Sequence, residues 1–219
     1  MQTRHYSQLY RHLRDLDPHD YQRVIRSYEE REVEIGRLDV LENFELTVYY
    51  VDALYQTGAF RQHQLMIDLA IEAGIRHNIE KIKGISGDIF QHLLFHKAAA
   101  AFRLRRFDVA IHVARELVRI DGGRELYVRF LRAALFKEQT AILQFGRAGF
   151  IFCVLLSAFL ITCNLLLVAS FFPWYVAAVR MAIYVSFGAG VACLSGAYGL
   201  AYWRADREAF RFKRGQPNK

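Results

Sequence analysis

The sequence predicts an all-helical protein in which a helical, mostly water-soluble domain precedes a transmembrane helical hairpin. Two uncharged stretches predict the hairpin: 32 residues separate Arg147 from Arg180, and 23 residues separate Arg180 from Arg204. A membrane-spanning helix needs roughly 20 apolar residues, so each stretch is long enough for one span. Before Arg147, no segment shows the alternation of apolar and polar residues that is typical of a strand. The predicted boundaries are 1–145 for the soluble domain, 146–203 for the hairpin and 204–219 for a basic tail.

Charge divides the chain at the same place. Residues 1–146 carry 21 Lys and Arg against 20 Asp and Glu, whereas the remaining 73 residues carry 8 against 2. The net charge of +7 therefore belongs to the apolar end of the chain. Because proteins that bind nucleic acid concentrate Lys and Arg on a folded domain, and this one is balanced, we expect no nucleic-acid partner.

Helix caps and apolar spacing define the elements of the soluble domain. Asp17 followed by Pro18 is typical of a helix start, with Asp17 as the N-cap. Asp39 starts a later helix, and Asp121-Gly122-Gly123 indicates a turn that ends one. The predicted helices span about 21–37, 39–57, 61–73, 88–105, 107–120 and 124–145, with a longer connection at 74–87.

Two segments of this domain, about 44–75 and 91–122, are similar to each other. In each, one helix ends before an aromatic residue (Phe60 or Phe107), and a second helix follows. In the second helices, Ile67 and Ala70 of the first copy match Ala114 and Leu117 of the second. This helix–turn–helix pattern resembles the tetratricopeptide repeat (TPR), a unit of 34 residues. Arg105 stands where the family has a glycine, and the two aromatic residues are 47 positions apart, so the copies are not in strict tandem.

The resemblance implies a concave surface, which this family uses to hold peptides or partner helices. The alternative is that the N-terminal helices, or the domain's own core, fill this groove. Transferred by position, the predicted partner-binding groove consists of Glu45, Val48, Asp52, Tyr55 and Gln56 from the first copy and of His92, Phe95, Ala99, Phe102 and Arg103 from the second.

The apolar end divides into two helices at Pro173. Proline disfavours helix before it, and the neighbouring Trp174 and Tyr175 favour the headgroup level of a bilayer. The predicted spans are about 148–171 and 179–203, with an aromatic turn between them. Small residues recur along the second span and let helices approach closely, while an amide in the first span requires a partner. We expect these residues to pack the second helix on the first or on another copy of the chain: Asn164, Gly188, Ala192, Gly196 and Gly199.

Basic residues flank the hairpin, and the short turn between the spans offers Arg180 alone. By the positive-inside rule this asymmetry predicts that both termini lie in the cytoplasm. The polar N-terminus, which has no apolar core of a secretory signal, agrees with that orientation. The residues that we expect at the lipid headgroups are Arg147, Arg204, Arg207, Arg211, Lys213 and Arg214.

The sequence shows no arrangement of residues typical of catalysis. His92 and His96 lie one helical turn apart, a spacing that can bind metal, but Asp88 is the one acidic residue nearby in the sequence and no cysteine is near. The cysteines lie in apolar runs, where thiols behave as small apolar groups. We therefore expect no enzyme, no cofactor and no metal site.

These features predict a membrane-anchored adaptor or scaffold for protein–protein interaction. Its helical-repeat surface would recruit a cytoplasmic protein through a peptide or helix, and the hairpin would fix it in the lipid bilayer. The alternative is an oligomeric pore-forming or transport-machinery subunit, a homo-oligomer assembled through its transmembrane hairpin.

Overall fold

The computed structural model describes residues 7–17, 19–82, 87–168 and 173–214, without the side chains of residues 168, 173, 213 and 214. Within these ranges the chain is helical and has no strand, so the predicted all-α class is confirmed. The described residues form two compact units: the second lies within Leu135–Arg211, and the first consists of the described residues before and after it. The α-helices are α1 Gln8–Arg14, α2 Tyr21–Glu30, α3 Glu32–Ile35, α4 Val40–Gln56, α5 Phe60–Arg76, α6 Ile89–Arg103, α7 Phe107–Ile120, α8 Glu125–Glu138, α9 Thr140–Cys163 and α10 Val176–Arg214.

Short polar side chains begin several of these helices. Ser7 accepts a hydrogen bond from the Tyr10 amide at the start of α1, and Asp88 accepts one from the Phe90 amide at the start of α6. The N-cap of α2 is Asp20, which accepts from the Arg23 amide, so the prediction of Asp17 as the N-cap is wrong. Asp17 instead accepts a hydrogen bond from the amide of His19, just before the helix.

The first unit is built from helix pairs that are neighbours in the sequence. Helix α4 packs on α5, α6 packs on α7, and α5 packs on α6. One core cluster includes Tyr28, Ile35 and Leu54 from α2, α3 and α4. A second includes Ile67 of α5 and Leu93 of α6. Helices α4, α5 and α6 therefore lie side by side.

The turns inside the two helix pairs both use the left-handed backbone region. Gly58, between α4 and α5, has φ of +79°, which glycine adopts without steric strain. Arg105, between α6 and α7, has φ of +59°. An arginine therefore occupies a conformation that favours glycine.

The second unit contains the apolar helices. Helix α9 continues as a π-helical segment, Asn164–Val168, and a short 3-10 segment, Pro173–Tyr175, precedes α10. Helix α10 is 39 residues long: it starts at Val176 rather than 179, and it includes residues 204–214 of the expected tail. The remainder of that tail, 215–219, lies outside the described residues. Helix α9 likewise starts at Thr140, before the predicted span.

Both apolar helices are long and apolar enough to cross a membrane. Only 6% of the most apolar window of each is buried within the chain. A core helix of a soluble protein would be mostly buried, and soluble monomers rarely expose apolar patches of this extent. Two candidate transmembrane helices are therefore present, in the region that the uncharged stretches predict.

Candidate partner groove and a histidine–aspartate cluster

The predicted partner-binding groove is largely filled by the domain's own side chains. The Tyr10 hydroxyl of α1 donates a hydrogen bond to the buried carboxylate of Glu45. Val48 and Ala99 are also buried. Of the ten predicted residues, only Gln56 and Arg103 are classed as exposed.

Helix α8 covers the α6 side of that groove. The ring of Phe130 lies 5.5 Å from the ring of Phe95 and 5.7 Å from that of Phe102, measured between centroids. Tyr127 lies 5.9 Å from Phe95. Offset and edge-to-face aromatic pairs at such distances are favourable contacts. At this face the structure agrees with the alternative in which the domain itself fills the groove.

Two of the predicted groove residues, Asp52 and His92, form a cluster with His96 between α4 and α6. The Asp52 Oδ1 atom lies 3.2 Å from His92 Nε2 and 3.2 Å from His96 Nδ1, while its Oδ2 atom lies 3.3 Å from His92 Nε2. Burial by itself would raise the pKa of Asp52, but hydrogen bonds and charge from the two histidines outweigh it and lower the pKa to about 2. Asp52 is therefore ionised at neutral pH; it accepts a hydrogen bond from His92 and lies at ion-pair distance from His96.

His63 of α5 lies beside this cluster and is fully buried. Neither ring nitrogen of His63 has a hydrogen-bond partner among the residues that the structure describes. Its ring centroid is 6.5 Å from that of His96 and 5.6 Å from that of Tyr55. Burial lowers the pKa of His63 to about 4, with a smaller contribution from the charge of His96, so its imidazole is neutral at neutral pH.

Sequence reasoning found only part of this cluster. The spacing of His92 and His96 is a local signal, and the sequence identified it. Asp52 was assigned to the groove, and His63 was not selected. Both come from other helices, so no sequence spacing connects them to the histidine pair. The expectation of no metal site depends on residues that are close in the sequence. The structure adds the carboxylate of Asp52, which lies 40 residues from His92 in the sequence, to the histidine pair.

A different surface of the first unit is open and apolar. Helices α2 to α5 enclose a groove of about 450 Å³, which we call the α5 groove. Leu69 lines it and is 56% exposed, and Leu65, one turn earlier on α5, is 72% exposed. Glu32 is the one residue charged at neutral pH among the described residues that line it. The further lining residues are Tyr28, Ile35, Gly36, Leu38, Val40, Asn43, Phe44, Thr47, Met66, Ala73 and His77.

The two apolar helices pack on each other through a face other than the predicted one. A Cβ atom built on Gly190 would lie 2.8 Å from the Cβ of Cys153, and one on Gly146 would lie 2.4 Å from the Cβ of Ala197. Gly149 similarly faces Cys193. At these positions glycine allows close approach of the helices.

The predicted packing residues of α10 lie away from α9. Nothing lies within 4 Å of a Cβ atom built on Gly188, Gly196 or Gly199, and Ala192 is exposed. The expected packing of this face on the first helix is therefore not what the structure has. Asn164 begins the π-helical segment, and its side-chain oxygen is buried with no hydrogen-bond partner among the described residues.

The residues predicted at the lipid headgroups are exposed where the structure describes them. An Arg147 guanidinium nitrogen donates to the Tyr198 hydroxyl at 2.8 Å, which joins α9 to α10. Arg207 lies over the ring of Trp203, 4.7 Å from its centroid. Arg204 and Arg211 are exposed on α10, and the side chains of Lys213 and Arg214 lie outside the described part.

Comparisons with models of known families, with curated proteins and with solved structures find no match for this chain. The functional assignment therefore depends on the physical properties of these surfaces.

Proposed function

We propose that this protein is a membrane-anchored adaptor that holds an amphipathic helix of a cytoplasmic protein in the α5 groove. The observation that carries the proposal is the exposure of Leu65 and Leu69 beside an apolar groove, in a chain that also has two apolar helices. Apolar residues that are exposed together next to a groove are typical of interaction sites. The hairpin anchors the adaptor in the bilayer, with both termini in the cytoplasm.

The shape and lining of the groove favour a helix as the occupant. Leu65, Leu69 and Ala73 recur every four residues along α5, so they form one ridge of that helix. A partner helix binds such a surface with its own apolar residues, spaced at three and four positions. The helix pairs α4–α5 and α6–α7 support the resemblance to the TPR family, whose members hold peptides and helices.

The charge of the groove favours a basic partner. Glu32 lines the groove, and Glu29, Glu30 and Glu34 lie next to it in the sequence on α2 and α3. Opposite charges across an interface mainly set specificity and the rate of association. The partner is therefore an amphipathic helix with a leucine-type apolar face and Lys or Arg on its borders.

The proposal is tested with the full chain in detergent and two labelled synthetic amphipathic helices. Both helices carry the same leucine face, one with lysine and one with glutamate on its borders, and binding is followed by fluorescence anisotropy. We expect the lysine helix to bind more tightly and the Leu65→Asp, Leu69→Asp double variant to weaken its binding by at least about tenfold. Leu126→Asp, at an exposed leucine of α8 outside the groove, is the matched control and should bind normally.

A further variant, Glu32→Lys, tests the role of charge. It should bind the glutamate helix more tightly than the lysine helix, the reverse of the wild-type preference. Equal binding by the wild-type protein and the double variant would rule out the α5 groove as the docking surface. Equal binding of both helices to the wild-type protein would rule out the proposed basic partner.

The second candidate is the oligomeric pore-forming or transport-machinery subunit. The observation that favours it is the small-residue face of α10, at Gly188, Ala192, Gly196 and Gly199. Nothing lies within 4 Å of a Cβ atom built on any of the three glycines. A second hairpin would approach closely there. Ion conductance of protein reconstituted in liposomes, together with one defined oligomer in detergent, would support this candidate over the adaptor.

A further inference from the structure

We propose that Asp52, His92 and His96 bind one divalent transition-metal ion of the zinc type, which ties α4 to α6. This inference is independent of the adaptor proposal, because none of the three residues lines the α5 groove. Imidazole and carboxylate groups are common zinc ligands, and two histidines with one carboxylate form a recurrent metal-binding set.

The distances within the cluster fit a shared ion. One ligand atom from each residue can be chosen so that all three lie within 4.8 Å of one another. Ligand atoms about 2.1 Å from a tetrahedral zinc ion lie about 3.4 Å apart. Asp52 Oδ1 lies 3.2 Å from a ring nitrogen of each histidine, so small rotations of the side chains would admit the ion.

The burial of the cluster also suits a metal site. The side chains of His92, His96 and Asp52 are 27%, 15% and 28% exposed. The site is thus open to ions from solution on one side and enclosed by the helices on the other. His92 and His96 are held one turn apart on a single helix, which pre-organises two of the three ligands.

His63 provides a second observation that points to a ligand. A fully buried histidine whose two nitrogens have no hydrogen-bond partner is unusual, because leaving a buried polar group unpaired is unfavourable. Its ring is 6.5 Å from that of His96, so it is the nearest candidate for a fourth ligand from α5.

The competing explanation is a hydrogen-bonded network in which two histidines stabilise one carboxylate. That network explains Asp52, but it does not explain the unpaired nitrogens of His63. The two explanations differ in a measurable way, because only a metal site binds one equivalent of zinc through these side chains.

The test uses tag-free, full-length protein in detergent, treated with a chelator and then dialysed. Zinc affinity and stoichiometry are measured by competition with a chromophoric chelator, and cobalt(II) serves as a spectroscopic substitute for zinc. We expect one saturable equivalent of each metal and a cobalt absorption band of a tetrahedral or five-coordinate site. Zinc should also raise the midpoint of thermal unfolding, because it binds the folded state.

Asp52→Asn and His92→Gln should each lower the zinc affinity by at least about tenfold and remove the zinc-dependent rise of the midpoint. The matched control is His112→Gln, at an exposed histidine of α7, which should leave both readouts unchanged. Circular dichroism checks that each variant keeps its helices. If His92→Gln does not fold, Asp52→Asn, which keeps the shape of the side chain, provides the test. The proposal is overturned if the wild-type protein shows no one-to-one cobalt band, or if Asp52→Asn binds zinc as tightly as the wild-type protein.

Discussion

At the scale of single residues, Arg105 is the clearest case of backbone strain. Its φ of +59° places a side chain with a Cβ atom in the left-handed region, where a non-glycine residue is destabilised by about 1–2 kcal/mol. Gly58 has the equivalent place in the other helix pair and is not strained there.

Arg105→Gly should raise the free energy of unfolding by about 0.5–1 kcal/mol, because relief of the strain exceeds the added entropy of the unfolded chain. Chemical denaturation of the full chain in detergent, followed by circular dichroism, measures it. Gly58→Ala is the converse control and should lower the free energy of unfolding by about 1 kcal/mol. An unchanged or lower stability of Arg105→Gly would show that the arginine side chain compensates for its backbone.

His63 supports a second prediction at this scale. Its unpaired ring nitrogens are unfavourable in a buried site, by about 1–3 kcal/mol for an unpaired polar group. In metal-free protein, His63→Leu should therefore leave the free energy of unfolding unchanged or raise it by about 1 kcal/mol, whereas most core substitutions lower it. A loss of more than about 2 kcal/mol in the same denaturation experiment would mean that His63 makes a polar contact in the metal-free protein.

At the scale of elements, the two apolar helices show which face of α10 packs on α9. Gly190 faces Cys153 at a distance that excludes a side chain, whereas Gly196 is open. A leucine at Gly190 should therefore force α9 and α10 apart, and a leucine at Gly196 should not. In a variant that keeps Cys153 as its one cysteine, the thermal midpoint at which a thiol-reactive dye labels this half-buried residue reports the separation.

Gly190→Leu should lower that midpoint by several degrees, while Gly196→Leu should leave it unchanged. Gly196→Leu has a different readout, the mass of the protein in detergent, which should fall if copies associate through the small-residue face. An equal effect of the two substitutions on the midpoint would contradict the packing of the Gly190 face of α10 on α9.

At the scale of the whole molecule, the adaptor proposal requires that both apolar helices cross the membrane, which would place the two termini on one side of it. From the basic flanks at Arg147 and after Arg204, we expect that side to be the cytoplasm. In a variant whose native cysteines are replaced, Trp174→Cys should react in intact cells with a thiol reagent that does not cross membranes. Gln56→Cys, an exposed position of α4, should react only after permeabilisation. The reverse pattern would invert the orientation, and labelling of both in intact cells would contradict a cytoplasmic soluble domain.

The sequence by itself determined the helical class, the first and last residues of helix α7, and the position of the two apolar helices. These properties depend on neighbours in the chain: caps, the spacing of apolar residues and the length of an uncharged run. It also identified the pair His92 and His96, because one turn of helix separates them.

Only the tertiary structure decided which of these residues meet. Asp52 and His63 join the histidine pair because α4, α5 and α6 pack side by side, and a spacing of 40 residues carries no local signal. Helix α8 covers the α6 side of the predicted groove. Helix α10 turns Gly190 rather than Gly196 toward α9, a choice that the sequence leaves open because several faces of α10 carry small residues. Residue spacing fixes the faces of each helix, and packing between helices selects the face that is covered.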